Sequence, residues 1–416
     1  MHTVRLDEGL YRTDADNGLT VLSEMLPGVR SVAVGMWVKT ASANESATQM
    51  GVSHLLEHMV FKGTARRSAR DIALELEVRG GSLDAFTARD HTSYQARVLD
   101  EDLSRALDVL TDMVRNPSLR QADLDLERKV VLEEISTVED TPDDLVFDLH
   151  AQELWPGHGY GFPIIGTRDT VGALQAEHLR ALHGRSYHPR HMVIAAAGSL
   201  NHEVLLKLMA KCGWFTFPAG PDPQSVAPVP SGRRGERRVG RDGAQTHVVL
   251  GTDTFGYTDK RRYPLLLLNT VLGAGMSSRL FQRVREELGL AYAIYSFQSF
   301  YRHTGLWGVY VGTHPSTAGQ AVEAIRGELA DLAQGGLMGD ALGAAKQQLK
   351  GQLTLSLESP SARMYRLATL SLYDEPYRTI DQTLADIDRV SSDDVAGVAH
   401  DILSPDRQTV VWLGPN

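Results

Sequence analysis

Residues 218–230 read PAGPDPQSVAPVP. Proline at that density removes backbone donors and fixes φ, so neither helix nor sheet can run through the stretch and an extended linker is expected. The linker, taken as residues 218–238, divides the 416-residue chain into two parts of ordinary domain size, 1–217 and 239–416. The short basic run RRGERR at 233–238 reads as a solvated end of that linker.

The two parts repeat an order of elements. In the first, 19–25 and 31–38 alternate apolar with polar or small residues, as strands do. Helical stretches follow at 51–62 and 68–80, then paired strands at 82–87 and 92–99, helices at 101–115 and 121–139, and a looser segment at 155–166. A helix near 176–183, an apolar strand at 192–197 and a helix at 203–212 close the part. The second part gives a strand at 246–252, a helix at 263–272, strands at 292–300 and 305–312, helices, and a last strand at 409–413. His91-Thr92 opens a strand in one part and His303-Thr304 in the other, and MVIAAAGS matches TVVWLGP near their ends. The pattern predicts an α+β chain of two tandem homologous domains, each a mostly antiparallel sheet with helices packed on one face.

A formal charge of -10 without a dense Lys/Arg run excludes nucleic acid as a main partner. The single cysteine, Cys212, excludes an intrachain disulfide framework and a thiolate zinc cluster, so any metal must be held by histidine and carboxylate. The N-terminus, MHTVRLDEGLYRTDADNG, lacks an apolar signal region, and no run reaches membrane-spanning length. A cytoplasmic protein without a membrane partner is expected.

Chemistry concentrates at 51–64, GVSHLLEHMVFKGT. His54, Glu57 and His58 stand at i, i+3 and i+4, so on a helix two imidazoles and a carboxylate share one face. That is zinc-ligand spacing with an acid beside it. A catalytic zinc needs a third ligand from another element, and ERKVVLEEISTVE at 127–139 offers one. Glu127 and Glu134, nearly two turns apart, face one way with Val131 between them, and Glu133 points a quarter-turn aside. The remaining histidines of the first part fit no ligand pattern and read as structural or surface.

The chain resembles the inverted-zincin metallopeptidases of the pitrilysin, insulysin and mitochondrial processing peptidase family, in which H-x-x-E-H is followed about seventy-odd residues later by a glutamate. HLLEHMVFKGT, GGSLDAFTARDHTSY, ERKVVLEEI and IIGT stand in the family's order, and the likeness runs along the whole chain, closest to the small two-domain bacterial members. The resemblance implies one Zn2+ per chain held by His54, His58 and Glu134, with Glu57 as general base acting on a zinc-activated water. It further implies Glu127 orienting a ligand histidine, and Arg285 and Tyr292, in REELGLAY, stabilising the oxyanion. Substrate peptides are expected as an added strand along Gly81, Ser82, Leu83, Asp84, Ala85 and Phe86. Asp84 stands where the family usually has Asn; it loses an amide donor and adds charge, which predicts a preference for peptides carrying Arg or Lys. The segment GAGMSSRL at 273–280 is similar to the family's glycine-containing loop and lacks the lysine of a nucleotide site.

Larger relatives close four such domains around the substrate, so two domains imply a homodimer whose chains share an active site. The function implied is a zinc-dependent endopeptidase for oligopeptides or unfolded segments. A presequence-type processing peptidase and a silent scaffold subunit are the alternatives, and the intact His54, Glu57, His58 and Glu134 set weighs against the scaffold.

Overall fold

A computed structural model describes residues 1–222, 226–337 and 340–415. Residues 223–225 of the proline-rich linker lie outside the described residues, and those on either side of them have no regular structure. The chain forms two compact units that cut the sequence differently from a single break at the linker. The first gathers residues 1–135, 162–227 and 356–377; the second gathers 136–161, 228–355 and 378–416.

The first unit holds a seven-stranded sheet of β1 (His2–Asp7), β2 (Leu10–Asp14), β3 (Thr20–Met25), β4 (Ser31–Val38), β5 (Ser82–Thr87), β6 (Thr92–Leu99) and β7 (Met192–Gly198). Their order is β1-β2-β3-β7-β4-β6-β5, antiparallel throughout except for the parallel β3–β7 pair. The second unit holds β8 (Gly235–Gly240), β9 (Thr246–Thr254), β10 (Ala291–Phe300), β11 (Gly305–Thr313) and β12 (Thr409–Gly414) in the order β10-β11-β9-β12-β8. Read from β8, this is the β3-β7-β4-β6-β5 order again, with the one parallel pair, β12–β8, in the corresponding place. The β1–β2 hairpin is an addition to the first unit.

Alternation decides the faces. Val32, Val34, Met36 and Val38 of β4 point into a core closed by α1 (Val52–Val60), α2 (Ala69–Glu77) and α3 (Leu103–Arg115). The opposite face carries Ala33, Gly35, Ala195 and Ala197, small enough for the helix Pro360–Leu372 to lie across β4, β7 and β3. A Cβ on Gly35 would stand 2.6 Å from the Trp37 ring and 3.4 Å from Met364 Sδ, so the close approach requires glycine there. The second unit repeats the device. Its main core lies against the helices Arg262–Gly273, Ala318–Gly335 and Ser392–Leu403. On its other face α5 (Pro142–Leu154), which follows α4 (Gln121–Glu139) in the chain, packs Val146 against Val249, Tyr310, Val411 and Leu413. Each sheet thus gathers most helices on one face and takes a single helix on the other from the opposite half of the sequence.

Several elements, β2 and the short helix Arg168–Ala173 among them, stand where the sequence pattern shows none. β1 is exposed along most of its length, so no burial alternation marks it. β8 begins within the end of the expected linker, where Arg237 and Arg233 pair with Glu153 at 3.5 and 3.1 Å. α5 has weak amphipathic patterning because it is buried against a sheet rather than along one clean stripe.

Candidate metal centre

α1 begins after Gly51, whose φ of 86° is open to glycine, and ends before Gly63, with φ 115°. Val52, Leu55, Leu56, Met59 and Val60 anchor it in the core, which leaves His54 and His58 one turn apart, ring centres 4.6 Å from each other and planes tilted by 60°. α4 brings Glu134 to meet them. Its Oε2 lies 3.8 Å from His54 Nε2 and 3.7 Å from His58 Nε2. Ligands about 2.1 Å from a tetrahedral metal stand about 3.4 Å from one another, so each imidazole need close on Glu134 by only a few tenths of an ångström, and all three ligand atoms lie within 4.8 Å of one another. Among the described residues this is the one convergence of three His, Cys, Asp or Glu side chains with metal spacing.

The electrostatics suit a ligand set. Burial, with His58 adding to it, lowers His54 to about 4, so its imidazole is neutral with a lone pair to give. His54 Nδ1 is buried without a hydrogen-bond partner among the described residues. Glu127, two turns before Glu134 and buried, takes His58 Nδ1 at 3.0 Å, which fixes the proton on that nitrogen and frees Nε2. The other oxygen of Glu127 pairs with the Lys62 ammonium. Val131 is buried between the two glutamates, and Glu133 is exposed.

Glu57 belongs to the same helix and is buried, and burial raises its carboxyl against the opposing pull of Thr87 and His58. Thr87 Oγ1 donates to Glu57 Oε2 at 2.6 Å. Thr87 and Lys62 were not predicted from sequence; only their place in the fold, Thr87 at the end of β5 and Lys62 one turn past His58, gives them partners.

β5 is the outermost strand, paired on one side by β6 among the described residues, so its other edge is free to take a strand. Gly81 leads into it, its N–H bonded to Leu76 O at 2.9 Å. Leu83 and Ala85 pack into the core on the α1 side, together with Thr87. Ser82, Asp84 and Phe86 therefore face the other way. Asp84 accepts from Gln95 Nε2 at 3.2 Å and Phe86 stacks on Tyr365, ring centres 5.9 Å apart.

Arg285 and Tyr292 lie in the second unit, next to each other. Arg285 sits in the wide turns of Phe281–Glu287, its guanidinium 4.6 Å from the centre of the Phe281 ring and 5.2 Å from that of Tyr292. Tyr292, on the edge strand β10, is 77% exposed. Of the other histidines, His150 bonds Thr409 O at 3.1 Å, His183 bonds Val114 O at 2.8 Å, and His202 lies between the hydroxyls of Thr13 and Ser23.

Comparison with known proteins gives this arrangement its place. Residues 20–168 match the insulinase family (peptidase family M16), and residues 173–349 match the peptidase M16 inactive domain. An uncharacterized zinc protease of Streptomyces coelicolor is 41% identical over 414 residues, 97% of this chain and 89% of its own. The uncharacterized zinc protease YmxG of Bacillus subtilis is 37% identical over 397 residues, 95% of this chain and 96% of its own. The fold is shared with a protease from Helicobacter pylori (TM-score 0.92, 22% identity, 98% and 99% of the two chains). It is shared too with a peptidase M16 inactive domain protein from Pseudomonas fluorescens (TM-score 0.91, 19% identity, 98% of each chain). Similar along nearly its whole length to proteins named zinc proteases, and with two histidines and a glutamate converging in its first unit, the chain belongs to the insulinase family, peptidase family M16, as a small bacterial member.

Proposed function

We propose that the protein is a zinc-dependent endopeptidase, with one zinc per chain, acting on oligopeptides or unfolded segments bound as a strand added to β5. The observation that carries this reading is the convergence of His54, His58 and Glu134 beside a carboxylate, Glu57, that ligates nothing. A purely structural zinc site has no use for that buried acid. Zinc, when bound, supplies a Lewis acid for the scissile carbonyl and lowers the pKa of water to about 7.

The rest is the work of the chain's own residues. The free edge of β5 offers its N–H and C=O groups to an extended backbone, which aligns a peptide without reading its sequence. Glu57, held at one oxygen by the Thr87 hydroxyl, keeps the other to take a proton from the attacking water and deliver it to the leaving amine. Glu127 holds the proton on His58 Nδ1. Arg285 and Tyr292, already paired with each other and with Tyr292 open to solvent, are the groups to stabilise the oxyanion. We assign them to the zinc site of a second chain in a homodimer.

Hydrolysis of a quenched peptide library, with and without a chelator and alongside Glu57→Gln, tests the enzyme reading. Turnover that the chelator and the substitution both abolish is expected; no chelator-sensitive turnover in the unaltered protein refutes it. The sharing of sites has its own test. Glu57→Gln and Tyr292→Phe chains, each inactive alone, should regain activity when mixed and allowed to exchange subunits. Continued inactivity after verified exchange would assign both residues to one chain's site.

A further inference from the structure

α1 has nine residues, and His54 stands in its first turn. A helix that short is costly to nucleate, and its first N–H groups have no partner within it. Gly51, at the cap position, has no side chain with which to satisfy them. It cannot be replaced by a residue that has one: a Cβ on Gly51 would stand 2.6 Å from Ile165 O, and a Cβ on Gly166 would stand 2.5 Å from Met50 O.

The missing acceptor comes from outside the motif. Glu45 Oε2 takes the Gly51 N–H and Glu45 Oε1 takes the Ser53 N–H, both at 2.8 Å. One carboxyl group thus spans the first turn of the helix; burial lifts it to about 7, and the Ser53 and Gly51 hydrogen bonds pull the other way. Ser53 immediately precedes His54. Glu45 itself follows the short turn Ser42–Asn44, in which the Ala43 N–H bonds Arg89 O at 2.9 Å. Arg89 lies in the turn between β5 and β6, two residues beyond Thr87. The loop before α1 therefore ties the His54 end of the helix to the hairpin that carries the Thr87 contact to Glu57.

We propose that Glu45 is a positioning residue for the metal site, holding the first turn of α1 so that His54 Nε2 meets His58 and Glu134. The two ends of the helix are then fixed by different carboxyl groups. His58 is held by Glu127 through its own ring, whereas His54, whose Nδ1 has no such partner among the described residues, is held through the backbone just before it, at Gly51 and Ser53. Without Glu45 the first turn loses two acceptors, and His54 moves relative to a His58 that stays in place.

The inference rests on the reading of this site as a zinc site. Its test is zinc affinity, measured by competition with a chelator on the full chain, for Glu45→Gln and Glu45→Asp. Glutamine keeps one acceptor but turns an amide donor toward an N–H that is itself a donor; aspartate keeps both carboxyl oxygens but is one methylene short. Both should weaken zinc by about tenfold, in the range seen for supporting residues of metal sites. The weakening should persist where circular dichroism shows the zinc-free variant fully folded, which a residue serving stability alone would not produce, and excess zinc should restore turnover. Wild-type zinc affinity in either folded variant overturns the proposal, including the case in which only the aspartate variant folds. Failure of the unaltered protein to bind zinc overturns the zinc-site reading as well. A wild type that binds zinc but cleaves no peptide defeats the peptidase reading alone and leaves the role of Glu45 standing.

Discussion

The two units share five strands in one order and differ in what they hang on them. In the first, β4 leads into α1, which places two imidazoles and a carboxylate among leucines. In the second, β9 leads into the helix Arg262–Gly273, where Leu265, Leu267, Leu268 and Leu272 are all fully buried. The scaffold evidently closes with an apolar helix in that position. The polar residues of α1 are thus not there for folding: a buried carboxylate and a histidine forced neutral both cost free energy in a core. Where one sheet carries the expense and its copy does not, the difference marks the site.

The largest effects should separate the two helices most cleanly. Glu57→Gln should cut turnover by about a thousandfold or more, the scale of a lost general base, while leaving zinc content and folding stability intact. Leu268→Ala in the second unit should do the reverse, lowering unfolding stability by about 2–5 kcal/mol through a cavity. Parallel measurement of turnover and urea unfolding checks both. If Leu268→Ala loses turnover without losing stability, the division of labour is wrong.

Acid should weaken both units by the same physics. His91 in the first and His150 in the second are held at about 4 by burial, against an ordinary value of 6.5. The unfolded chain takes up these protons near 6.5 and the folded one not until about 4, so the stability they bring is whole above pH 6.5 and is lost progressively down to about pH 4. For the fully buried His150 the loss is of the order of 3 kcal/mol. Urea midpoints followed across that window should fall with pH, and His150→Gln should flatten the slope. An unchanged slope would mean that the ring gains its proton without opening the second unit.

Glu127→Ala comes next. It frees the His58 ring to turn and leaves Lys62 without its partner, and zinc should bind about 10–100-fold more weakly. The second unit, which has no ligand set among its described residues, should unfold as before.

How much of this was legible in the sequence follows from where each signal lives. α4 runs over Gln121–Glu139 and β4, β5 and β6 over 31–38, 82–87 and 92–99, because periodicity and turn residues are local: α4, β5 and β6 are part-exposed, and β4, covered on both faces, still alternates large with small residues. The H-x-x-E-H spacing is local too. β1 and β8 were not, since an exposed edge strand has no dry face to pattern. Glu45, Lys62 and Thr87 were invisible for another reason. Their residue types are ordinary, and only the folded chain gives them Gly51, Glu127 and Glu57 as partners. Exchange of α5 and the 360–372 helix between halves has no local signal at all, because a helix buried on either sheet needs the same apolar surface.

Asp84 yields the smallest expected effect and the finest test of the two faces of β5. From sequence it predicts a preference for peptides carrying Arg or Lys, through the negative charge it adds to the substrate strand. In the fold it faces away from α1, exposed, its oxygens on the Ala85 N–H and the Gln95 amide at 3.0 and 3.2 Å. A carboxylate in water acts on a substrate charge only through a screened field worth well under 1 kcal/mol. Asp84→Asn should therefore shift the ratio of kcat/KM for Arg- or Lys-containing over neutral peptides by about threefold at most, and the shift should vanish in high salt. A tenfold or larger change that persists in salt would mean that substrate side chains reach the Asp84 face directly, and that β5 selects its strand from the side opposite the metal.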